Sequence, residues 1–286
     1  MELNHANSRP RYAKEEERLL KRHLLAKNAN FPIDKFTATH ILAITDNLSH
    51  FPSEQFHAHR AIKTFFKWAL SRQLISISPA AHLPTPGKIN ERDRLLTDDE
   101  VRAIYRAATS LAYPYGFLVL ICIHTGLRRG EVGSLRWSRI TSEYITIPKE
   151  ISKNHREHVL PNLIGENLKF VPRATEIVVE NSKQVMRESD LLFPTANGHP
   201  FCAWGKNKRR LDALCNVDDF VLHDFRRYLS STMRRLGVPI DVTETILNHV
   251  SGSRSQIQRI YDRHDRIPEM QQALQLYEKH LAGIVT

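Results

Sequence analysis

Five short stretches of this chain carry side chains that can bind anions, move protons or attack electrophiles. Thr125-Gly126-Leu127-Arg128-Arg129-Gly130-Glu131 sets a basic pair beside glycine at the end of an apolar run. By spacing alone it reads equally as a helix stop whose Arg128 and Glu131, three apart, form a surface ion pair worth about 0.2–0.5 kcal/mol. His223-Asp224-Phe225-Arg226 places His223 and Arg226 one helical turn apart, on one face of a helix. A polar, basic connection, Lys149 to Glu157, offers Lys149 and Lys153. Leu247-Asn248-His249 follows an apolar segment, and Ile260-Tyr261-Asp262-Arg263 carries one of eight tyrosines. Taken singly, each has an ordinary structural explanation: a solvated charge, a satisfied histidine, a packing tyrosine.

Their order changes the reading. An arginine in Thr-Gly-Leu-Arg, a hairpin lysine, His-x-x-Arg, a histidine after an apolar helix and a tyrosine a dozen residues later occur together here. In this the sequence resembles the tyrosine recombinases, or phage integrases, by motif over roughly Arg92 to Arg266. Leu247 to Arg263 looks most like prophage and island integrases. The resemblance implies that Arg128 is the first catalytic arginine with Glu131 as its acidic companion. It makes His223 and Arg226 the His-x-x-Arg pair, His249 the second His/Trp position and Tyr261 the nucleophile. The catalytic lysine is Lys153, eight residues before Pro161, with Lys149 as the competitor. Two positions depart from the family pattern: Asn248 stands where glycine is usual, and Tyr228 where threonine is common.

The chemistry implied is phosphodiester cleavage by a protein nucleophile. Two guanidiniums, Arg128 and Arg226, present planar forks of donors to the non-bridging oxygens, in the place a metal ion holds in other nucleases. No Asp/Glu cluster for magnesium is apparent, and no cofactor is expected. A tyrosine phenol starts near pKa 10 and needs help to ionise; His223 is the proton acceptor and Lys153 the donor to the leaving oxygen. His249 adds a hydrogen bond to the phosphate. A 3′-phosphotyrosine bond stores the ester energy, so another strand's 5′-hydroxyl reverses the step without ATP.

These residues need elements to hold them. Arg11 to Lys27, Thr39 to Leu48 and Ser53 to Leu74 have helical apolar spacing, the last with a stripe of Ala58, Ile62, Phe65, Phe66, Ala69 and Leu70. Arg60, Lys63 and Lys67 on that helix are phosphate contacts or a solvated face. Pro79, Pro84, Pro86 and Gly87 forbid a continuing helix and suit a linker. Thr97 to Glu100 forms a capping box, predicting a helix to about Ala108, followed by an apolar one over roughly Phe117 to His124. Tyr144 to Pro148 and His158 to Pro161 read as a hairpin. Helices are expected to resume after Thr175, with a marked one from Asp219 to Leu236 ended by Gly237. Lys206, Lys208, Arg209 and Arg210 form a basic run, either phosphate contact or solvated surface. His57, His59, His155 and His158 lack the companions of a metal site, which leaves them loop or surface roles. Met270, Ala273, Leu274, Tyr277 and Leu281 make one stripe that packs on its own domain or, as in the family, docks on a neighbour. The fold expected is mainly α: residues 10–83 an all-helical core-type DNA-binding domain, 84–94 a linker, and 95–286 a mainly helical catalytic domain with a small antiparallel β-sheet.

Bulk composition agrees. With 286 residues there is room for two cores. A net charge of +10 attracts polyanions. Three cysteines, Cys122, Cys202 and Cys215, are too few and too far apart for a disulfide scaffold or zinc site. No apolar run reaches about 18 residues, and the start lacks a secretory signal, so a cytoplasmic protein, bacterial or phage-encoded, is expected. No further arm-site domain is read before Tyr12. The resemblance implies duplex DNA as partner, held in a clamp of two domains. It also implies a homo-tetramer on paired sites, with accessory DNA-bending or directionality factors as candidate partners and no membrane. The competing readings are a relaxing topoisomerase of related type and a non-catalytic DNA-binding regulator.

Overall fold

The computed structural model describes residues 10–87, 92–180, 183–249 and 266–285. They divide into two compact units, Met1–Arg92 and Asp93–Thr286. In the first, α1 (Pro10–Leu19) runs on through a π-helical stretch, Leu20–Leu25, into α2 (Ala26–Asn28). α3 (Ala38–Asp46) starts at a Thr37–His40 capping box, and α4 (Pro52–Ser71) starts with proline in its first turn. The apolar stripe of α4 meets Leu20, Leu24 and Ile41 in a core containing Ala58, Ile62, Phe66 and Ala69. Leu70, expected in that stripe, is exposed. Glu54 ties α4 to the first helix, accepting from Arg18 Nη2 at 3.1 Å and lying 2.8 Å from His23 Nε2.

The second unit is mainly helical. α5 (Asp98–Ser110) opens at the Thr97–Glu100 capping box, as its sequence predicts. α6 (Tyr115–Thr125) is apolar all round and buried along most of its length, the pattern of a central helix. α7 (Arg129–Val132) is one short turn. β1 (Tyr144–Ile147) pairs antiparallel with β2 (His158–Pro161), Tyr144 opposite Pro161 and Ile147 opposite His158. α8 (Gly165–Leu168) follows. Further along the chain come α9 (Trp204–Cys215), α10 (Asp224–Arg235), α11 (Ile240–Ile246) and α12 (Ile267–Val285). Met270, Ala273, Leu274, Tyr277 and Leu281 of α12 are buried in the same core as α5, α6 and α10. Tyr277 Oη donates to the carbonyl of Ile123 at 2.9 Å. The stripe therefore packs on its own unit. Among the described residues, no helix is long and apolar enough to cross a membrane.

Three expectations need correction. Helices resume only at Trp204, because β3 (Thr175–Glu180) and β4 (Lys183–Glu188) first form a second antiparallel hairpin. The signal was present in Thr-Glu-Ile-Val-Val-Glu, a β-branched run bounded by Asn-Ser. The long helix begins at Asp224 rather than Asp219. Asp219 has φ 45°, which no continuing helix accepts, and the Asp224 carboxylate takes the Val221 N–H at 2.9 Å, closing a turn just before the helix. Finally, His59 and His158 are buried, not loop or surface residues, because each lies on the inner face of its helix or strand.

Candidate active site

The Thr-Gly-Leu-Arg segment is a device for ending a buried helix and projecting a cation. Thr125 Oγ1 donates to Ile121 O and accepts from Leu127 N, satisfying groups at the end of α6. Gly126 has φ 62°, and its N–H closes on Cys122 O, a left-handed helix stop. A Cβ there would press on Leu247 Cδ2 at 3.0 Å and Leu229 Cδ1 at 3.1 Å in a conformation that side chains rarely adopt, so glycine suits this turn. Leu127 is buried and Arg128 emerges from the turn.

Glu131 then holds Arg128. Its carboxylate accepts from Arg128 N at 3.0 Å and from Nη1 at 2.9 Å. At 3% exposure Glu131 is buried, so the pair is not the surface ion pair that spacing alone allowed. Arg128 Nη2 reaches Asn248 O at 3.4 Å.

Arg226, 3% exposed, faces the same turn from α10. Its Nη1 donates to Gly126 O at 2.8 Å, Nη2 donates to Leu247 O, and Nε donates to His249 Nε2 at 3.3 Å. Burial, and then the Arg128 charge, hold Arg226 down to about 9. These hydrogen bonds engage two carbonyls and an imidazole, with no carboxylate among them. A buried cation so placed favours an incoming anion. His249 Nδ1 lies 3.1 Å from Glu244 Oε1, so the bond from Arg226 leaves Nε2 as acceptor and gives Nδ1 the proton.

His223 is the N-cap of α10 rather than part of its first turn, with φ −72° and ψ −19°. It still lines an open groove of about 320 Å³ together with Arg226, Arg227, Ser230, Ser231, Arg234 and His249. Burial of its ring, followed by Arg226 and Arg227, lowers its pKa, which keeps the imidazole neutral and able to accept a proton. Arg227, Ser230 and Arg234 were not singled out by sequence, although positions 223, 227, 230 and 234 repeat along one helix face.

Lys153 and Lys149 are both exposed, on the connection between β1 and β2. The residues flanking Lys153 are bound to the turn before His249: Asn248 Nδ2 donates to Ser152 Oγ at 3.1 Å, and Asn154 Nδ2 donates to Asn248 O at 2.5 Å. His158, at the start of β2, is close enough to the two arginines and Glu131 for their charges to act on it. Tyr261 lies outside the described residues. Of the basic run on α9, Lys206, Arg209 and Arg210 are exposed. Lys208 instead pairs with Asp212 and lies 3.6 Å from the Phe220 ring centroid. Arg60 and Lys67 are exposed on α4, and Lys63 is half-buried. Among the described residues no group of three His, Cys, Asp or Glu could hold a metal ion.

With this geometry stands the comparison with known proteins. Residues 94–266 match the model of the phage integrase family. The chain belongs to that family. Prophage integrase IntF of Escherichia coli (strain K12) is 23% identical over 239 residues, covering 79% of this chain and 49% of that protein. Prophage integrase IntZ of the same strain is 30% identical over 158 residues, covering 52% of this chain and 39% of its own length. The chain thus spans about half the length, or less, of these relatives. Among solved structures, a lambda integrase (75–356) dimer bound to a COC′ core site aligns with TM-score 0.65 at 15% identity, covering 85% of this chain and 88% of that one. A lambda integrase tetramer bound to a Holliday junction aligns with TM-score 0.62 at 15% identity, covering 86% and 78%. The fold is that of these integrases.

Proposed function

We propose that this chain is a site-specific DNA recombinase that cuts and rejoins duplex DNA through a 3′-phosphotyrosine intermediate, integrating or excising a mobile element. The observation that carries this is the convergence of Arg128 and Arg226 on the turn leading into His249, with Arg226 buried and, among the described residues, hydrogen-bonded to two carbonyls and an imidazole rather than a carboxylate. That arrangement suits a phosphodiester whose charge grows in the transition state. Tyr261 Oη attacks phosphorus, its proton passes to His223, and the P–O5′ bond breaks as Lys153 protonates the leaving oxygen. Glu131 orients Arg128, and His249, whose Nε2 accepts from Arg226 in the free protein, contacts the phosphate when that nitrogen is released by Arg226 and carries the proton itself. Lys153 is favoured over Lys149 because its two neighbours are bound to Asn248 beside the arginines.

Phosphate contacts from Arg60, Lys63, Lys67, Lys206, Arg209 and Arg210 would add affinity, Lys208 contributing less because Asp212 already engages it. Residues 10–83 act as the core-site gripping domain, 84–94 as linker and 95–286 as catalytic domain. Assembly as a homo-tetramer on paired sites is part of this reading, and the lambda integrase tetramer on a Holliday junction supports a multimer on DNA; accessory DNA-bending or directionality factors complete the reading.

The test is a nicked suicide duplex carrying the core site recovered by sequencing DNA trapped on the protein. Wild type should accumulate a covalent adduct on Tyr261, also in excess EDTA, and Tyr261→Phe should bind the duplex but give none. An adduct mapped to any other residue, or cleavage restored only by magnesium, would overturn the mechanism. Relaxation of supercoils without joining of two sites would instead mark a topoisomerase.

A further inference from the structure

Asn248 occupies the family's glycine position, and its backbone explains part of the pattern. Its φ is 45°, in the left-handed region, which glycine enters freely and asparagine tolerates better than most side chains. The turn itself does not need the amide, so the side chain's contacts become informative. Asn248 Nδ2 donates to Ser152 Oγ at 3.1 Å, and Ser152 is buried at 2% exposure. From the other side of Lys153, Asn154 Nδ2 donates to Asn248 O at 2.5 Å and lies 3.5 Å from its Oδ1. The same Asn248 carbonyl accepts from Arg128 Nη2 at 3.4 Å. One residue therefore ties both neighbours of Lys153 to an arginine of the clamp.

Among the described residues, the backbone bonds within the loop are short-range turns, Ile151 N and Ser152 N to Pro148 O and His155 N to Ser152 O, which shape the loop, while the bonds to Asn248 set its direction. His155, at φ 53°, closes the turn after Asn154. A lysine on a long flexible stem delivers a proton efficiently only when its anchor is held, since a misplacement of about 1 Å costs on the order of 100-fold.

We propose that Asn248 is a positioning residue that latches the β1–β2 loop to the arginine clamp, through Ser152 and Asn154, and so aims Lys153 at the leaving oxygen. This rests on the leaving-group role given to Lys153 above. Asn248→Gly keeps the turn and the backbone carbonyl but removes the amide, and Ser152→Ala removes its partner.

Two measurements test it. In hydrogen exchange on the free full chain, both variants should exchange faster at residues 149–157, with α10 and α12 unchanged; loop exchange equal to wild type overturns the latch. On the suicide duplex, both variants should bind as wild type and cleave on the order of 10-fold to 100-fold slower. A 5′-thio leaving group, which departs without a proton, should restore most of that rate. Asn248→Gly combined with Lys153→Ala should be no slower than Lys153→Ala alone. Equal slowing on oxygen and sulfur substrates, or additive losses, would mean that Asn248 acts through Arg128, and the proposal fails. Should Lys153→Ala itself gain nothing from sulfur, the role of Lys153 falls, while the exchange data still decide whether the latch exists.

Discussion

At the scale of single residues, the site is a place where burial and charge oppose each other. Arg226 is buried near Arg128 with two carbonyls and the His249 imidazole as hydrogen-bond partners, and Gly126 supplies one of the carbonyls from a left-handed turn that glycine suits. His158 lies within their field. Burial above all holds its pKa down to about 4, with Arg226 and Arg128 adding to the effect and Glu131 opposing it. The usual value is near 6.5, so between the two the unfolded chain binds a proton that the folded chain refuses. Stability is then level above pH 6.5 and falls as pH drops towards 4, by about 3 kcal/mol in all. Denaturant unfolding at pH 7 and pH 4.5 should reveal the loss, and His158→Gln should make the slope shallower. An unchanged slope would show that His158 is hydrated or already paired.

At the scale of elements, α12 answers a question its sequence left open. An amphipathic C-terminal stripe satisfies either a neighbour's groove or its own core equally well on paper. Here Leu274, Tyr277 and Leu281 are buried among α5, α6 and α10, and Glu278 accepts from the buried His124 ring at 2.8 Å. Leu274→Ala and Leu281→Ala should each cost about 2–5 kcal/mol of unfolding free energy in the isolated protein. Near-wild-type stability in chemical denaturation, with a defect only in assembly on DNA, would place the stripe on a neighbour instead. The β3–β4 hairpin teaches a related lesson. Its β-branched run is local, but the strand exists through pairing with β4, which a single segment does not carry.

For the whole molecule, charge is the property that acts at a distance. The excess of +10 and the basic faces of α4 and α9 should make duplex binding strongly salt-dependent. Log affinity is expected to fall linearly with log salt, by about 0.9 per phosphate neutralised. Replacing Lys63 and Lys67 together with alanine should flatten that slope by about 2, measured by fluorescence anisotropy over a salt series. An identical slope in the double variant would return both lysines to ordinary surface charge.

What the sequence determined by itself were features set within a few residues. The Thr97 capping box, the glycine stop at Gly126, the apolar α6 and the β1–β2 hairpin all depend on local spacing and backbone preference. Only the tertiary structure decided the rest, because those outcomes depend on what a side chain meets from far along the chain. Glu131 became a buried partner of Arg128 instead of a surface one, since the turn after α6 is covered by the Leu247 segment. His158 turned inward because β2 pairs with β1 over the core. Asn248, legible only as a departure from the family's glycine, became the junction between a loop and an arginine because Ser152 and Asn154 are brought to it across more than 90 residues of chain. Spacing names the groups that can do chemistry; long-range packing sets their surroundings, and with them their charge and aim.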